Sequence, residues 1–411
     1  MRRFNLLIFS LMALFAPAQT EGDMAYILNY DNPRIDTTKN KELRVDVDAL
    51  AFFKNDEFMG PTMKGYTLPG LWLAPKLAYQ PLSQVKLELG LRATIYDGAY
   101  IYPNFAFRDI ATWKGAQYTK FAHFLPYFRA QAEFGCLDLV LGDLYGGQNH
   151  QLATPLYAPE LNLTADPEMG FQILVNRPHY ELDAWIDWQS YIFKNDTHQE
   201  AFGVGVVQRI LWNKRQNPWH FYTPLQVLFQ HRGGEIDDTN MGVQTLLNGA
   251  VGMGAQRNFN RRVLSRMNME AYWLFAHQMA GNLWKRGQGN AYYASVSLDL
   301  LRTLRMKLGI FGSEKFVPLY GLPLFSTLST RYEGCTFSDV LTGNFSVEYT
   351  HSFTSDYQLG AKAELFVNRT GPLTTTAGEI LKRQCNVSYT YGIFFRIRPS
   401  FLLSKISSSH H

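Results

Sequence analysis

The residues with the clearest chemistry are acids and bases that alternate with apolar residues along short segments. In VKLELGLRATI, residues 85–95, Lys86, Glu88 and Arg92 share one parity, and aliphatic or small residues occupy the other. Side chains on a strand point alternately to opposite faces. One face of this segment is therefore predicted to contact an apolar phase, and the other to contact water or polar groups.

The same pattern puts charges on one face of many segments. Rings or facing rows of charge set the selectivity of aqueous pores. The acidic group at 181–187 and a basic group from the last segments either face one another across a pore or form ion pairs with neighbouring strands. The predicted pore-lining residues are Arg44, Asp46, Lys86, Glu88, Arg92, Arg129, Glu181, Asp183, Asp187, Arg305, Lys307, Arg396 and Arg398.

The histidines form no recognisable catalytic or metal-binding pattern. A lipase-like Ser–His pair needs both side chains close in space, with a group that orients the base. His123, at an inward position, is the clearest candidate, and we interpret it as a hydrogen-bonded wall residue; His150 lies in a connection without ligand-like spacing. HExxH, P-loop and paired CxxC motifs are absent from the sequence. The sequence therefore predicts no enzyme, no metal and no cofactor.

Strands must position these charges. The segments in which apolar and polar residues alternate number about sixteen, with fourteen or eighteen as alternatives. Connections tend to alternate long and short, as in barrels with short periplasmic turns and long outer loops. We therefore predict an all-β fold, an antiparallel transmembrane β-barrel with both ends periplasmic. The predicted strands are 43–53, 70–80, 84–97, 122–134, 136–145, 169–176, 179–193, 200–212, 219–231, 241–254, 263–277, 290–300, 304–313, 342–351, 356–367 and 386–398.

An export signal precedes the first strand. Arg2 and Arg3 form a charged start, an apolar run follows, and Ala16-Pro17-Ala18 is a small-residue cleavage site. The predicted division is a signal peptide at 1–18, a periplasmic segment at 19–41, the barrel at 42–401 and a tail at 402–411. The net charge of +4, without a long basic run, predicts no nucleic-acid partner.

The leader, the strand number, the loop alternation and the aromatic-rich final strand NVSYTYGIFFRIRPSF resemble the sixteen-stranded porin class of Gram-negative outer membranes. The Tyr- and Asn-rich texture is similar to outer-membrane proteins of the Bacteroidetes type. The resemblance implies a channel for passive or mildly selective passage of small hydrophilic solutes. Its expected partners are those solutes, outer-membrane lipid and lipopolysaccharide, and the oligomeric state is open. The alternative is a plugged surface barrel that binds or helps to assemble polysaccharide or another envelope component.

The resemblance also draws attention to the third long connection, residues 146–168, because such porins narrow their lumen with the third outer loop. The segment carries Glu160, Asp166 and Glu168, and it is longer than a hairpin requires. We predict that it enters the barrel and forms a constriction opposite Arg305, Lys307, Arg396 and Arg398; an exposed loop over the mouth is the alternative.

Two of the three cysteines, Cys335 and Cys385, are predicted to share the outer side of the membrane. Because export exposes them to an oxidising environment, they are candidates for a disulfide that tethers a loop. Unpaired thiols are the alternative.

Overall fold

The computed structural model describes residues 33–96, 122–213, 217–237, 239–240, 242–259, 261–282, 287–332 and 334–406. The predicted signal peptide, the start of the N-terminal segment and the last residues of the tail lie outside these ranges. None of the described helices has the length and apolar character needed to span a membrane.

Sixteen antiparallel strands form one closed barrel in the described ranges, which confirms the fold class and strand number expected from the sequence. Each strand pairs with its neighbours in the chain, and the last pairs with the first, Ala49 opposite Ile397. The strands are β1 Glu42–Glu57, β2 Tyr66–Leu82, β3 Val85–Ile95, β4 Ala122–Phe134, β5 Leu137–Asp143, β6 Met169–Arg177, β7 Tyr180–Ser190, β8 Ala201–Leu211, β9 Trp219–Arg232, β10 Gln244–Asn258, β11 Leu264–Ala280, β12 Gln288–Leu300, β13 Leu304–Glu314, β14 Asp339–Ser352, β15 Tyr357–Thr370 and β16 Gln384–Ile397.

The wall continues after β16. A further strand, β17 Ser400–Lys405, pairs with the start of β1, with Val45 opposite Phe401. Pairing therefore extends to Lys405, beyond the barrel boundary at 401 that the sequence suggested. The remaining elements are short: helical turns at Thr37–Lys39, Gly147–His150, Leu161–Thr164 and Pro323–Phe325, and a two-residue hairpin of Leu373–Thr374 with Ile380–Leu381.

The alternating pattern of the sequence matches the two faces of the wall. In β3, Leu89 is 62% exposed on the outer face, whereas the neighbouring Glu88 is 2% exposed on the lumen side. An Arg or Lys on a lipid-facing surface costs about 2–4 kcal/mol near mid-bilayer. Turning the charged parity inward avoids that cost, and the outer surface is left with aliphatic and aromatic residues.

The connections separate by length between the two ends of the barrel. At one end the turns at 83–84, 135–136 and 178–179 are tight, and Gly135 takes a positive φ of 68° that favours glycine. At the other end lie the connections 58–65, 144–168 and 315–338.

Those three connections fold inward and pack on one another inside the barrel. Met63, Leu156 and Phe325 belong to a single buried apolar cluster, in which the rings of Phe311 and Phe325 lie edge to face at 5.2 Å. We call the described residues of 58–65, 144–168 and 315–338 the loop plug. It fills the long-connection end of the lumen.

Candidate functional site in the lumen

The connection 144–168 lies inside the barrel and contacts strands on several sides of the wall. Glu160 accepts hydrogen bonds from Lys54 of β1 and Tyr66 of β2, each at 2.7 Å. Across the lumen, Lys307 of β13 donates to the Thr154 hydroxyl at 2.6 Å. The segment predicted to form a constriction therefore spans the lumen.

The basic group does not face this connection as a set. Lys307 contacts the connection through Thr154, whereas the other three predicted residues form ion pairs with the wall. Arg305 forms an ion pair with Asp299 of the adjacent strand. Arg396 and Arg398 pair with Asp48 of β1, at 2.9 and 3.4 Å.

Most of the predicted lining charges form pairs along the wall. Glu88 contacts Lys76 at 3.0 Å, Lys86 at 2.9 Å and Arg129 at 3.4 Å. Near the chain ends, Arg44 pairs with Glu42 at 2.8 Å, and Asp46 accepts a hydrogen bond from Ser400. Ion pairs along the wall, between neighbouring strands or two residues apart on one strand, describe these contacts.

The acidic group of β7 does not face the basic group either. Glu181 lies 3.8 Å from Arg209 of the next strand, and Asp187 accepts hydrogen bonds from the Met169 amide and Gln189, each at 3.0 Å. Asp183 contacts His150 of the connection 144–168 at 2.7 Å. Of the two arrangements that the sequence left open, these contacts are those of groups paired with nearby residues of the wall.

His150 is held between two carboxylates inside the barrel. Its Nδ1 lies 2.7 Å from Asp183 and its Nε2 lies 2.8 Å from Glu168. The ring stacks on Trp185 with centroids 3.4 Å apart. Burial opposes the charged ring, but the two carboxylates outweigh it and raise the pKa of His150 above its ordinary value of 6.5. Both ring nitrogens therefore donate, and neither can accept a proton from a substrate.

His123 has a different environment. It lies near the long-connection end of β4, on the parity that faces the lumen, and its Nε2 is 3.2 Å from an Asp166 carboxylate oxygen. This contact lies within ion-pair distance but lacks hydrogen-bond geometry, and Nδ1 forms no hydrogen bond with a described residue. A general-base histidine has one ring nitrogen beside a carboxylate and the other nitrogen available to accept a proton, and His123 has this arrangement. The sequence identified His123 as an inward histidine but could not reveal Asp166 beside it.

The candidate disulfide between Cys335 and Cys385 is not formed in the described part of the chain. Cys335 is buried in the apolar cluster of the loop plug. Cys385 lies in β16 opposite Arg369, on the parity of the exposed Val387. The two thiols lie on opposite sides of the barrel wall, which prevents the bond.

Several solved outer-membrane barrels are similar to this chain at low sequence identity. The outer membrane protein opdK of Pseudomonas aeruginosa is 9% identical, with a TM-score of 0.47, over 88% of this chain and 100% of that chain. Acinetobacter baumannii OccAB3 is 11% identical, with a TM-score of 0.48, over 87% and 99%. Vibrio cholerae OmpT is 10% identical, with a TM-score of 0.46, over 87% and 97%. No curated protein matches the chain significantly.

A family model gives a more specific result. The model described as "Lipid A 3'-O-deacylase-type" matches residues 35–406. The expectation that the protein is not an enzyme is therefore wrong: the sequence contains no familiar catalytic motif, but the family is described by a hydrolytic activity. Because the match covers every strand of the barrel, the chain belongs to the lipid A 3'-O-deacylase-type family.

Proposed function

We propose that this protein is an outer-membrane hydrolase that removes an ester-linked acyl chain from lipid A. The observation that carries the proposal is the family match over residues 35–406, because it covers the barrel as a whole. The closed barrel with an apolar outer surface supports a location in the outer membrane, where lipid A is found.

In this proposal His123 is the general base and Asp166 orients it. His123 Nδ1 takes a proton from a water molecule while the water oxygen attacks the acyl carbonyl carbon. The tetrahedral intermediate then collapses, and the sugar oxygen leaves with the proton that His123 had taken. The products are a fatty acid and a free hydroxyl on the sugar, so atoms and charge balance. Asp166, at 3.2 Å, stabilises the imidazolium that forms between the two steps.

The position of the dyad supports this role. His123 lies near the end of β4 that leads to the long connections, and the adjacent Phe124 is 66% exposed on the outer face. A substrate whose acyl chains lie in the membrane and whose sugars lie at its surface would approach the barrel at this level. His150 is excluded as the base because both of its ring nitrogens are engaged.

The expectation of an open channel has less support. The loop plug occupies the long-connection end of the lumen with buried apolar residues, including Phe316, Leu324 and Phe337. An apolar cluster of this kind excludes water, whereas passage of hydrophilic solutes requires a wet path. The alternative reading of the sequence, a plugged surface barrel that binds or helps to assemble polysaccharide or another envelope component, agrees with the plugged lumen but did not include an enzyme.

Mass spectrometry of lipid A tests the proposal. The protein is expressed in a Gram-negative host whose lipid A carries a 3'-O-linked acyl chain, and wild type is expected to remove the mass of that chain. His123→Ala should abolish the change, and Asp166→Asn should reduce it. His351→Ala is the matched control, because His351 lies on β14 beside Phe353, away from the dyad.

Folding of each variant is checked by its heat-modifiable mobility on gels. Unchanged lipid A in cells that contain folded wild-type protein would refute the hydrolase. Full activity of folded His123→Ala would refute the assignment of the base.

A further inference from the structure

A cavity lined by charged, polar and apolar side chains lies inside the barrel beside the connection 144–168. Its volume is about 130 Å³, and its walls come from β1–β5, β7–β9 and β16 together with the connection itself and Tyr320 of the connection 315–338. At roughly 10–15 Å³ for each water, this is space for about ten waters, comparable with the heavy atoms of one hexose. The cavity therefore has room for a small polar molecule.

Three buried N–H groups that line this cavity have no hydrogen-bond partner among the described residues. They are Trp72 Nε1, Arg92 Nε and Asn162 Nδ2, from β2, β3 and the connection. Trp72 is 3% exposed and Asn162 is 5% exposed. Buried donors are nearly always satisfied in native structures, so three at one cavity indicate a missing acceptor.

The orientation of the Asn162 amide is fixed by its neighbours. Its Oδ1 accepts hydrogen bonds from the Gln148 amide at 3.2 Å and from the Tyr157 hydroxyl at 3.1 Å. Because the oxygen is occupied by two donors, the Nδ2 group must be the side that lacks a partner.

Arg92 places a positive charge at the cavity, where the carboxylates of Asp166, Asp143 and Asp48 act on it without forming an ion-pair contact among the described residues. Its guanidinium carbon lies 4.6 Å from the centre of the Trp72 ring, and that of Arg396 lies 5.4 Å from the same ring. Arg396 is paired with Asp48, whereas Arg92 forms no ion pair within the described chain. A sheltered guanidinium whose Nε–H has no hydrogen-bond partner among the described residues can donate to an anionic ligand.

The carboxylate of Asp143 also lines the cavity and lacks a donor for one of its oxygens. Asp143 is 1% exposed; its Oδ2 accepts from the Phe128 amide at 2.8 Å, and its Oδ1 has no partner among the described residues. A simple inorganic anion would leave this carboxylate oxygen unsatisfied. A ligand with a hydroxyl group would donate to it.

We propose that this cavity binds a small anionic, hydroxylated molecule of the sugar-acid or sugar-phosphate class. The anionic group is bound by Arg92, Trp72 and Asn162, and a hydroxyl donates to Asp143. The site goes beyond the proposed hydrolase, since none of these residues takes part in cleavage of the acyl ester.

Binding to the folded, detergent-solubilised full barrel tests the proposal. Isothermal titration is carried out with glucose 1-phosphate, gluconate and neutral glucose. Saturable binding of either anion is expected, and glucose should bind at least about tenfold more weakly because it lacks the charge. Binding of glucose as tightly as the anions, or no saturable binding of either anion, overturns the proposal.

Two variants locate the site. Arg92→Gln should weaken anion binding at least about tenfold, and Trp72→Phe, which keeps the ring but removes the N–H, should also weaken it. Lys362→Gln is the matched control, because Lys362 is a lumen cation paired with Glu364 at 3.2 Å and does not line the cavity. Equal affinity in wild type and both folded cavity variants contradicts the assignment. The lipid A assay is a separate measurement, so failure of one proposal is distinguishable from failure of the other.

Discussion

The buried His150 clamp gives the sharpest prediction about what holds the connection 144–168 inside the barrel. In His150→Gln, one neutral side chain replaces the cation between Glu168 and Asp183. Two nearly buried carboxylates then face each other without the charge that separates them. Removing one partner of a buried ion pair costs about 3–5 kcal/mol, much of it from the charges left unpaired.

The remaining contacts reduce the expected cost. Glu168 still accepts the Gly147 amide at 2.9 Å, and Asp183 still accepts the Gln172 side chain at 2.8 Å. We therefore expect the lower end of the range, about 3 kcal/mol, and expect it in local opening of the connection, since the strand ladder is unaffected. At 1.36 kcal/mol for each tenfold change, this is an increase of about a hundredfold in the opening equilibrium.

Hydrogen exchange measured by mass spectrometry tests this expectation in the folded barrel. Amides of residues 153–163 should lose about a hundredfold of their protection in His150→Gln, while strand amides keep theirs. His198→Gln is the matched control, because His198 is exposed in the connection 191–200 and, among the described residues, forms its hydrogen bond with the Tyr191 carbonyl. Equal protection in the two variants would refute the reasoning that the clamp stabilises the connection.

Other measurements test the His150 charge, the outer face of β3, the Glu88 ion pairs and the cysteines. Because the folded pKa of His150 is raised, its stabilising effect is complete below the ordinary value of 6.5 and is lost as the pH rises through the raised pKa; protection factors of 153–163 should therefore fall at alkaline pH in wild type but not in His150→Gln. Leu89→Arg should lower the free energy of unfolding in lipid vesicles by about 2–4 kcal/mol, whereas Leu89→Ile should change it little. Glu88→Gln should also destabilise the barrel, because it leaves three lumen cations without their carboxylate, and a neutral effect in urea titration would contradict that network. In the folded protein a maleimide should modify Cys385 but not Cys335, and a disulfide-linked peptide in a non-reduced digest would contradict the structure.

The sequence alone determined the wall of the barrel. Each strand can be predicted from its own residues. In a segment such as 85–95 the apolar residues of one parity must face lipid, and the charged residues of the other parity must face away from it. The lengths of the connections then distinguish the end of the barrel with short turns from the end with long loops. These are local properties of ten or so consecutive residues, so they can be predicted without knowing which strands are neighbours. The same local logic identified His123 as an inward residue.

Only the tertiary structure decided what fills the lumen. His150 contacts Glu168 and Asp183, which are 18 and 33 residues away in the sequence, and Lys54 contacts Glu160, which is 106 residues away. No periodicity encodes such contacts, because they depend on how a long irregular connection folds between walls that only the closed barrel brings together. The opposite sides taken by Cys335 and Cys385, and the Asp166 carboxylate beside His123, follow from the same packing. The sequence specifies each side chain and the face of the strand on which it lies. Which charged groups pair across the lumen depends on the distances between them, and the complete fold sets those distances.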